Sequence, residues 1–250
     1  MDKKTFSETF AFGSFSWEYL AWDSEILERK TAKILSLEPK DESKSLIKDL
    51  IKSLKKEKMQ YATFRVNASN FSTFHALEEN GFKLVDGYLE LECEVKDIEN
   101  LSSNVRIAEK SDLEELQKIA SSSFLKTRFY NDPLIKKSQA DKIYSEWIKN
   151  SILGKMADMV LVWEERKSLL GFVTVRKNGN LTLIAVSKKA QGKGIGKLLV
   201  KAALNQFKRW GISKSTIETQ MANIPALRVY QSCGYKIVNS FLTFRWSYAN

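Results

Sequence analysis
The sequence predicts an α/β fold in two units, and three observations carry the prediction. Short alternating or wholly apolar runs are interleaved with runs of helical period. One helix-turn-strand stretch recurs at a fixed offset. A strand also passes through a small-residue loop straight into a long amphipathic helix. The first unit is expected over 1–96, with strands around Phe12–Phe15 and Tyr61–Val66. Between them a helix is expected from Lys44 to Lys58, because Leu46, Ile47, Leu50, Ile51 and Leu54 recur at helical spacing. The polar stretch Lys96 to Asn104 reads as a linker. The second unit, 105–250, opens with Val105-Arg-Ile and a helix near Ser111, where Ser111 and Glu114 have capping-box spacing. Strands follow at Met159–Trp163, Leu170–Val175 and Leu181–Val186, the last two flanking the turn Lys177-Asn-Gly-Asn. A helix from Lys197 to Trp210 stops at Gly211 and leads to a strand at Ser215–Gln220.

Shifting the chain by 153 residues lays Asn70…Gly81-Phe-Lys-Leu-Val on Asn223…Gly234-Tyr-Lys-Ile-Val without a gap, and carries on to Leu89 and Leu242. Asn, Gly, Lys, Val and Leu are identical, so a duplicated unit is expected. Leu77 stands in the first copy where the second has Tyr230.

Composition narrows the function. The chain has 250 residues, 43% of them hydrophobic, three prolines and no apolar run of membrane-spanning length. No secretion signal follows the opening Met-Asp-Lys-Lys, and two cysteines, Cys93 and Cys233, are too few for a disulfide framework, so a cytoplasmic protein is expected. A single histidine, His75, removes most zinc and serine-histidine arrangements, and no metal is expected. Between Arg166 and Ile217 there are twelve basic residues and no acid, so a net charge of +10 leaves the remainder at 10 − 12 = −2. A field this local suits a particular anionic ligand. Nucleic acid is the weaker reading, since few aromatics interleave with the basic residues, and neither nucleic acid nor membrane is expected as a partner.

Within that stretch, Leu183-Ile-Ala-Val runs into Ser187-Lys-Lys-Ala-Gln-Gly-Lys-Gly-Ile-Gly-Lys. Small residues let successive backbone N–H groups converge, and the following helix N-terminus adds partial positive charge. The expectation is a phosphate cradle. Its spacing is neither that of a P-loop nor that of a dinucleotide fingerprint, because Lys197 and Leu199 fall where a third glycine would.

Gln191-x-x-Gly194-x-Gly196 resembles the Gln/Arg-x-x-Gly-x-Gly/Ala pattern of the GNAT superfamily of N-acetyltransferases, and Asn223, Pro225, Ala226, Leu227, Tyr230 and Gly234 resemble that superfamily's final motif. Trp22-Asp-Ser-Glu, Arg128-Phe-Tyr-x-Asp132, Tyr144-x-x-Trp147-Ile and Thr219-Gln-Met-Ala-Asn223 extend the likeness to the two-domain TDP-fucosamine (TDP-4-amino-4,6-dideoxygalactose) N-acetyltransferases. The resemblance implies a GNAT-like α/β fold with a mixed, mostly antiparallel central sheet, preceded by a smaller, incomplete GNAT-like domain. It implies acetyl-CoA as co-substrate, bound along Ile184, Ala185 and Val186 and by Gln191, Gly192, Lys193, Gly194, Ile195, Gly196, Lys197 and Asn223. Val229 stands where that family carries a cofactor-contacting arginine, and Arg228 replaces it if it projects to the same side. The resemblance alone suggests a homodimer.

The expected chemistry is direct attack by the amine of a nucleotide-linked 4-amino sugar on the thioester. Backbone N–H near Val186 would hold the carbonyl, and Tyr230 would protonate the leaving sulfur. A tyrosine pKa of ~10 is matched to a thiolate of similar basicity. No base stands out: Glu218 on the fifth strand, Asp132 and Glu146 are candidates, and so is a water relay. Arg128, Phe129, Tyr130, Tyr144 and Trp147 are candidate acceptor contacts, a cation for the diphosphate and ring faces for base or sugar. Phe129, Tyr144 and Trp147 equally suit a helix core. His75 reads as structural and Cys233 as a small filler. Another amine acceptor, such as a peptide N-terminus or a polyamine, and a silent acyl-CoA-binding module are the competing functions.

Overall fold
The computed structural model describes residues 4–39, 44–96 and 103–248, so most of the expected linker, 97–102, lies outside the described residues. The chain forms two compact units, Met1–Gly87 with Ser240–Asn250, and Tyr88–Asn239.

The first unit contains β1 (Thr5–Phe10), β2 (Gly13–Tyr19), α1 (Ala21–Leu27), β3 (Thr31–Pro39), α2 (Lys44–Lys56), β4 (Tyr61–Asn67) and α3 (Phe71–Glu79). Strands β1 to β3 are antiparallel, whereas β3 runs parallel to β4. The sheet is closed by residues from the far end of the chain, Phe241–Ser247, antiparallel to β4 with Phe244 opposite Phe64. Alternation sends Phe64, Val66, Phe244 and Trp246 to one face, where Leu46, Ile47, Leu50 and Leu54 of α2 and Phe74 and Leu77 of α3 bury against them. The apolar spacing read in α2 is therefore its core face. Elements β1, α1 and β3 carry no comparable pattern in the sequence.

The second unit begins within β5 (Lys83–Glu94) and continues with β6 (Val105–Ile107), α4 (Leu113–Ser123), α5 (Arg128–Asn131), α6 (Lys137–Ile152), β7 (Met159–Glu165), β8 (Ser168–Val175) and β9 (Asn180–Val186). Then come α7 (Ile195–Arg209), β10 (Lys214–Gln220), α8 (Ile224–Ser232) and β11 (Lys236–Ser247), whose second half is the closing strand of the first unit. Strand order in the second unit is β5-β10-β9-β8-β7-β6, antiparallel except between β9 and β10. The sheet is thus mixed and mostly antiparallel. Leu199, Val200, Ala203, Leu204 and Phe207 of α7 pack with Leu161, Val173, Val175 and Leu181, and α4 and α6 lie against β7 to β9.

Two expectations need correction. The units do not divide into 1–96 and 105–250, because Tyr88–Glu94 pairs with β10 and Phe241–Ser247 pairs with β4. Strand pairing is a non-local choice that local pattern does not encode. At the start of α4, Asp112 Oδ2 accepts from the Glu109 N–H at 2.7 Å, while the Ser111 hydroxyl turns to Glu109 and Glu114 pairs with Lys118. Capping therefore begins two residues before Ser111.

The repeat extends beyond the identical residues. A shift of 153 carries α2 onto the last thirteen residues of α7, β4 onto β10, α3 onto α8 and β5 onto β11, each end included. In both copies the helix ends in a glycine at positive φ, Gly81 at 83° and Gly234 at 91°, and a buried aromatic follows, Phe82 or Tyr235.

Candidate functional site
Parallel strands β9 and β10 are in register only at Thr216–Asn180 and Ile217–Leu181, then part. Gly179 sets the pinch point. Its carbonyl accepts from Thr216 N–H at 3.0 Å and from the Ser215 hydroxyl at 2.9 Å, and a Cβ there would stand 2.4 Å from the Lys214 oxygen. Only glycine permits that approach. Beyond the pinch one edge of β9 is open. Ser187 N–H donates to Leu170 and Leu183 N–H to the Thr174 hydroxyl, both on β8, so alternation turns the backbone groups of Ile184 and Val186 away from β8 and into the gap. Ala185 is buried and the Ile184 and Val186 side chains are half-buried.

The cradle follows directly. Gly192 and Gly194 both adopt φ of 79°, and no atom lies within 4 Å of where a Cβ would sit on either. Gly194 caps α7, so the N–H groups of Ile195, Gly196 and Lys197 have no carbonyl a turn below them. Gly196 differs, with its Cβ position in ordinary contact with Val186 and Val229 at 3.8 and 3.9 Å. Lys188, Lys189, Lys193 and Lys197 are exposed around the loop. Open glycines, free amides at a helix N-terminus and a rim of cations fit a diphosphate.

Tyr230 lies on α8 in the same buried cluster as Ala190 and Ile195, 3% exposed, with its ring 6.1 Å from that of Tyr235. Burial holds its phenol well above the usual tyrosine pKa, so it stays protonated. Among the described residues its hydroxyl has no hydrogen-bond partner. The other buried tyrosines nearby do: Tyr235 shares 2.6 Å with the Ser215 hydroxyl, and Tyr144 donates to Thr127 Oγ1 at 2.8 Å. A hydroxyl at the tip of a buried side chain with no protein partner is left for solvent or a ligand to meet. Ser187 Oγ, at the end of β9, is buried without a partner.

Asn223 precedes α8 but does not cap it; its Nδ2 donates to Thr219 Oγ1 at 3.3 Å. Arg228 is exposed, whereas Val229 faces Gly196. Successive helical residues point about 100° apart, so Arg228 does not project to the side that Val229 occupies.

Tyr144 anchors the expected acceptor segment. Its ring stacks on Phe124 at 4.5 Å and Trp147 at 6.2 Å and meets Phe129 edge-on at 6.0 Å. Phe129 and Tyr144 are buried, Tyr130 donates to Asp141 at 2.6 Å, and the Arg128 guanidinium sits 4.0 Å over the Phe129 ring. Lys126 Nζ reaches the Ala222 carbonyl at 3.3 Å, which brings this segment to the end of β10 beside Asn223. Phe129 and Tyr144 are thus helix packing as well as neighbours of the site, while Arg128, Tyr130 and Trp147 are half-buried. Among the base candidates, Asp132 is buried and accepts from Leu134 N–H at 3.0 Å, Glu146 pairs with Lys149, and Glu218 is exposed. Burial raises both cysteines, Cys93 to about 11, which makes poor nucleophiles. His75 is exposed, 3.9 Å from Glu78, and no buried role fits it. Among the described residues no group of three His, Cys, Asp or Glu side chains is placed to hold a metal, and no helix is long and apolar enough to cross a membrane.

Sequence reasoning gave no role to Gly179, Ser215, Phe124 or Thr127, and quoted Thr219 only as part of a motif. The Asn-Gly turn was visible, but its contact with β10 was not.

Residues 114–235 match the model of the acetyltransferase (GNAT) family. The dTDP-fucosamine acetyltransferase of Escherichia coli O6:H1 is 29% identical over 185 residues, 74% of this chain and 79% of that protein. The spore coat polysaccharide biosynthesis protein SpsD of Bacillus subtilis is 23% identical over 92% of this chain and 82% of its own length. Among solved structures, a tandem GNAT protein from the clavulanic acid biosynthesis pathway superposes with a TM-score of 0.61 at 10% identity, covering 99% of this chain and 84% of that one.

Proposed function
Because this chain carries a GNAT-family acetyltransferase domain, we propose that it moves acetyl from acetyl-CoA to the amine of a nucleotide-linked, TDP-type 4-amino-4,6-dideoxy sugar. What supports the chemistry is Tyr230, a protonated phenol on a buried side chain with no protein partner, in the same packed cluster as Val186, whose amide faces the gap beside β9.

Acetyl-CoA would supply the acyl group as an activated thioester. Ile195, Gly196 and Lys197 amides, with Lys188, Lys189 and Lys193, would take its phosphate charge, and Gly192 and Gly194 leave the loop open to it. Val186 N–H, turned into the gap, would donate to the acyl oxygen, where negative charge develops. As the amine forms its bond to carbon and the carbon–sulfur bond breaks, Tyr230 Oη gives its proton to the sulfur. Asn223 keeps its side-chain carbonyl clear of α8, available to the pantetheine arm. No carboxylate of this chain is favoured as base: the amine would enter neutral, the N–H proton it sheds as the amide forms would pass to water, and the Tyr230 phenolate would regain its proton from solvent, so the exchange balances.

The acceptor rests on the relatives' names together with the half-buried Arg128, Tyr130 and Trp147, a cation and ring faces suited to a nucleotide diphosphate, which the buried Tyr144 backs. A homodimer in the cytoplasm belongs to the same reading, and sedimentation and fractionation test it. The deciding experiment is thiol release from acetyl-CoA across nucleotide-linked amino sugars, with free amines and basic peptides alongside. Turnover is expected with TDP-linked 4-amino sugars. Activity confined to the peptides or free amines overturns the sugar-nucleotide reading and leaves the acetyltransferase standing.

A further inference from the structure
The loop between β9 and α7 holds two glycines at positive φ in open space, so something must fix its shape. Its internal bonds are local: Ala190 N–H to Ser187 and Gln191 N–H to Lys188. One side chain reaches back to the strand. Gln191 Nε2 donates to the Val186 carbonyl at 3.1 Å, and among the described residues no other side-chain bond ties 188–193 to β9.

The Val186 carbonyl leaves the strand on the same edge as the Val186 N–H, into the gap where β10 has parted. A bare carbonyl oxygen there would set a lone pair against the acyl oxygen that the N–H is to receive. The Gln191 amide caps it. It also fixes the distance between the strand end and Gly192, from which the cradle starts.

We propose that Gln191 is a positioning residue that acts on the end of β9, and not a ligand of the coenzyme pyrophosphate. This rests on the reading of acetyl-CoA as donor. Only a side chain with an N–H donor and comparable reach can replace it. Arginine qualifies; alanine lacks the donor, and glutamate would face a carbonyl with a carboxylate.

The test uses Gln191→Ala, Gln191→Glu and Gln191→Arg in the full chain, with acetyl-CoA and with S-acetyl-pantetheine, which keeps the thioester arm and has no pyrophosphate. Alanine and glutamate are expected to lower kcat/KM about tenfold with both donors, and arginine to recover most of it. A loss with acetyl-CoA that vanishes with acetyl-pantetheine overturns the proposal. Hydrogen exchange on the ligand-free protein decides the same point without any donor. Faster exchange from Ser187 to Gly194 in the alanine and glutamate variants, restored by arginine, is expected, and unchanged exchange there overturns it. Wild-type protein that shows no turnover with acetyl-CoA counts against the donor, while the exchange result still judges Gln191.

Discussion

The two copies of the repeat begin their helices on the same residue and use it differently. In α3, Asn70 caps the helix, its Oδ1 accepting from Thr73 N–H at 3.2 Å. In α8, Asn223 leaves the cap unmade and turns to Thr219. The divergence continues beneath the helices. Leu77, Phe82 and Ala62, all fully buried, fill the places of Tyr230, Tyr235 and Ser215. At the cradle the same shift sets Pro39-Lys-Asp-Glu-Ser against Gly192-Lys-Gly-Ile-Gly, and two carboxylates would repel phosphate. One copy has spent its asparagine on a helix cap and replaced the other polar groups by hydrocarbon; the other keeps them, pairing Ser215 with Tyr235 and Asn223 with Thr219 and leaving the Tyr230 hydroxyl without a protein partner. The difference teaches which residues the scaffold needs and which the chemistry needs.

The largest effect expected from breaking this contrast lies at Tyr230. Tyr230→Phe keeps the packing and should lower turnover about 10²- to 10³-fold, with acetyl-CoA affinity by calorimetry little changed. Leu77→Tyr in the first copy should add no activity. Because burial raises the Tyr230 pKa above ~10, the acid is present throughout the working range, and wild-type turnover should show no alkaline fall below about pH 10. By linkage the sign is the same for stability: the unfolded tyrosine loses its proton first, so this group leaves stability intact below about pH 10 and reduces it above.

Gly194→Ala comes next. A left-handed φ of 79° costs an L residue roughly 1–2 kcal/mol, which the loop relieves by abandoning the cradle. Donor KM should rise about tenfold, while Gly196→Ala, whose Cβ position makes ordinary contacts, should change it little. Equal effects at the two glycines would remove the cradle argument.

Ser215→Ala should destabilise the protein by about 1–3 kcal/mol, since it strips the partner from the buried Tyr235 hydroxyl. The double change Ser215→Ala with Tyr235→Phe recreates the first copy's Ala62 and Phe82. It should be milder than the single change in thermal melts.

The smallest effects separate the asparagines. Asn70→Ala loses a cap, about 1 kcal/mol of stability, with unchanged activity in the folded protein. Asn223→Ala has no cap to lose, so its melting temperature should hold while donor affinity falls. A reversal of these two outcomes would dissolve the distinction drawn between the copies.

Much of this was written locally. The 3.6-residue spacing of Leu46, Ile47, Leu50 and Leu54 marks the face α2 buries, because a helix repeats within a few residues of itself. The glycine spacing before α7 and the repeat from Asn70 to Asn223 likewise depend only on neighbours in sequence, so the open glycine loop, the place of Tyr230 on a helix and the duplication were legible. Strands β1 and β3 were not, because β1 stays largely exposed and β3 buries only its first half, so neither carries a steady alternation. Arg228 shows a limit of another kind. The sequence offered it as a substitute for a contact at Val229, but helix rotation turns it away.

By itself the sequence determined which residues could do chemistry, since residue type and close spacing already state what a side chain can donate, accept or leave open. Only the tertiary structure decided which sheet each closing strand joins, where β9 and β10 part, and which buried hydroxyl is left without a partner. Each of those is a choice among distant segments that compete for the same backbone and side-chain partners, and the winner is set by packing across the whole unit.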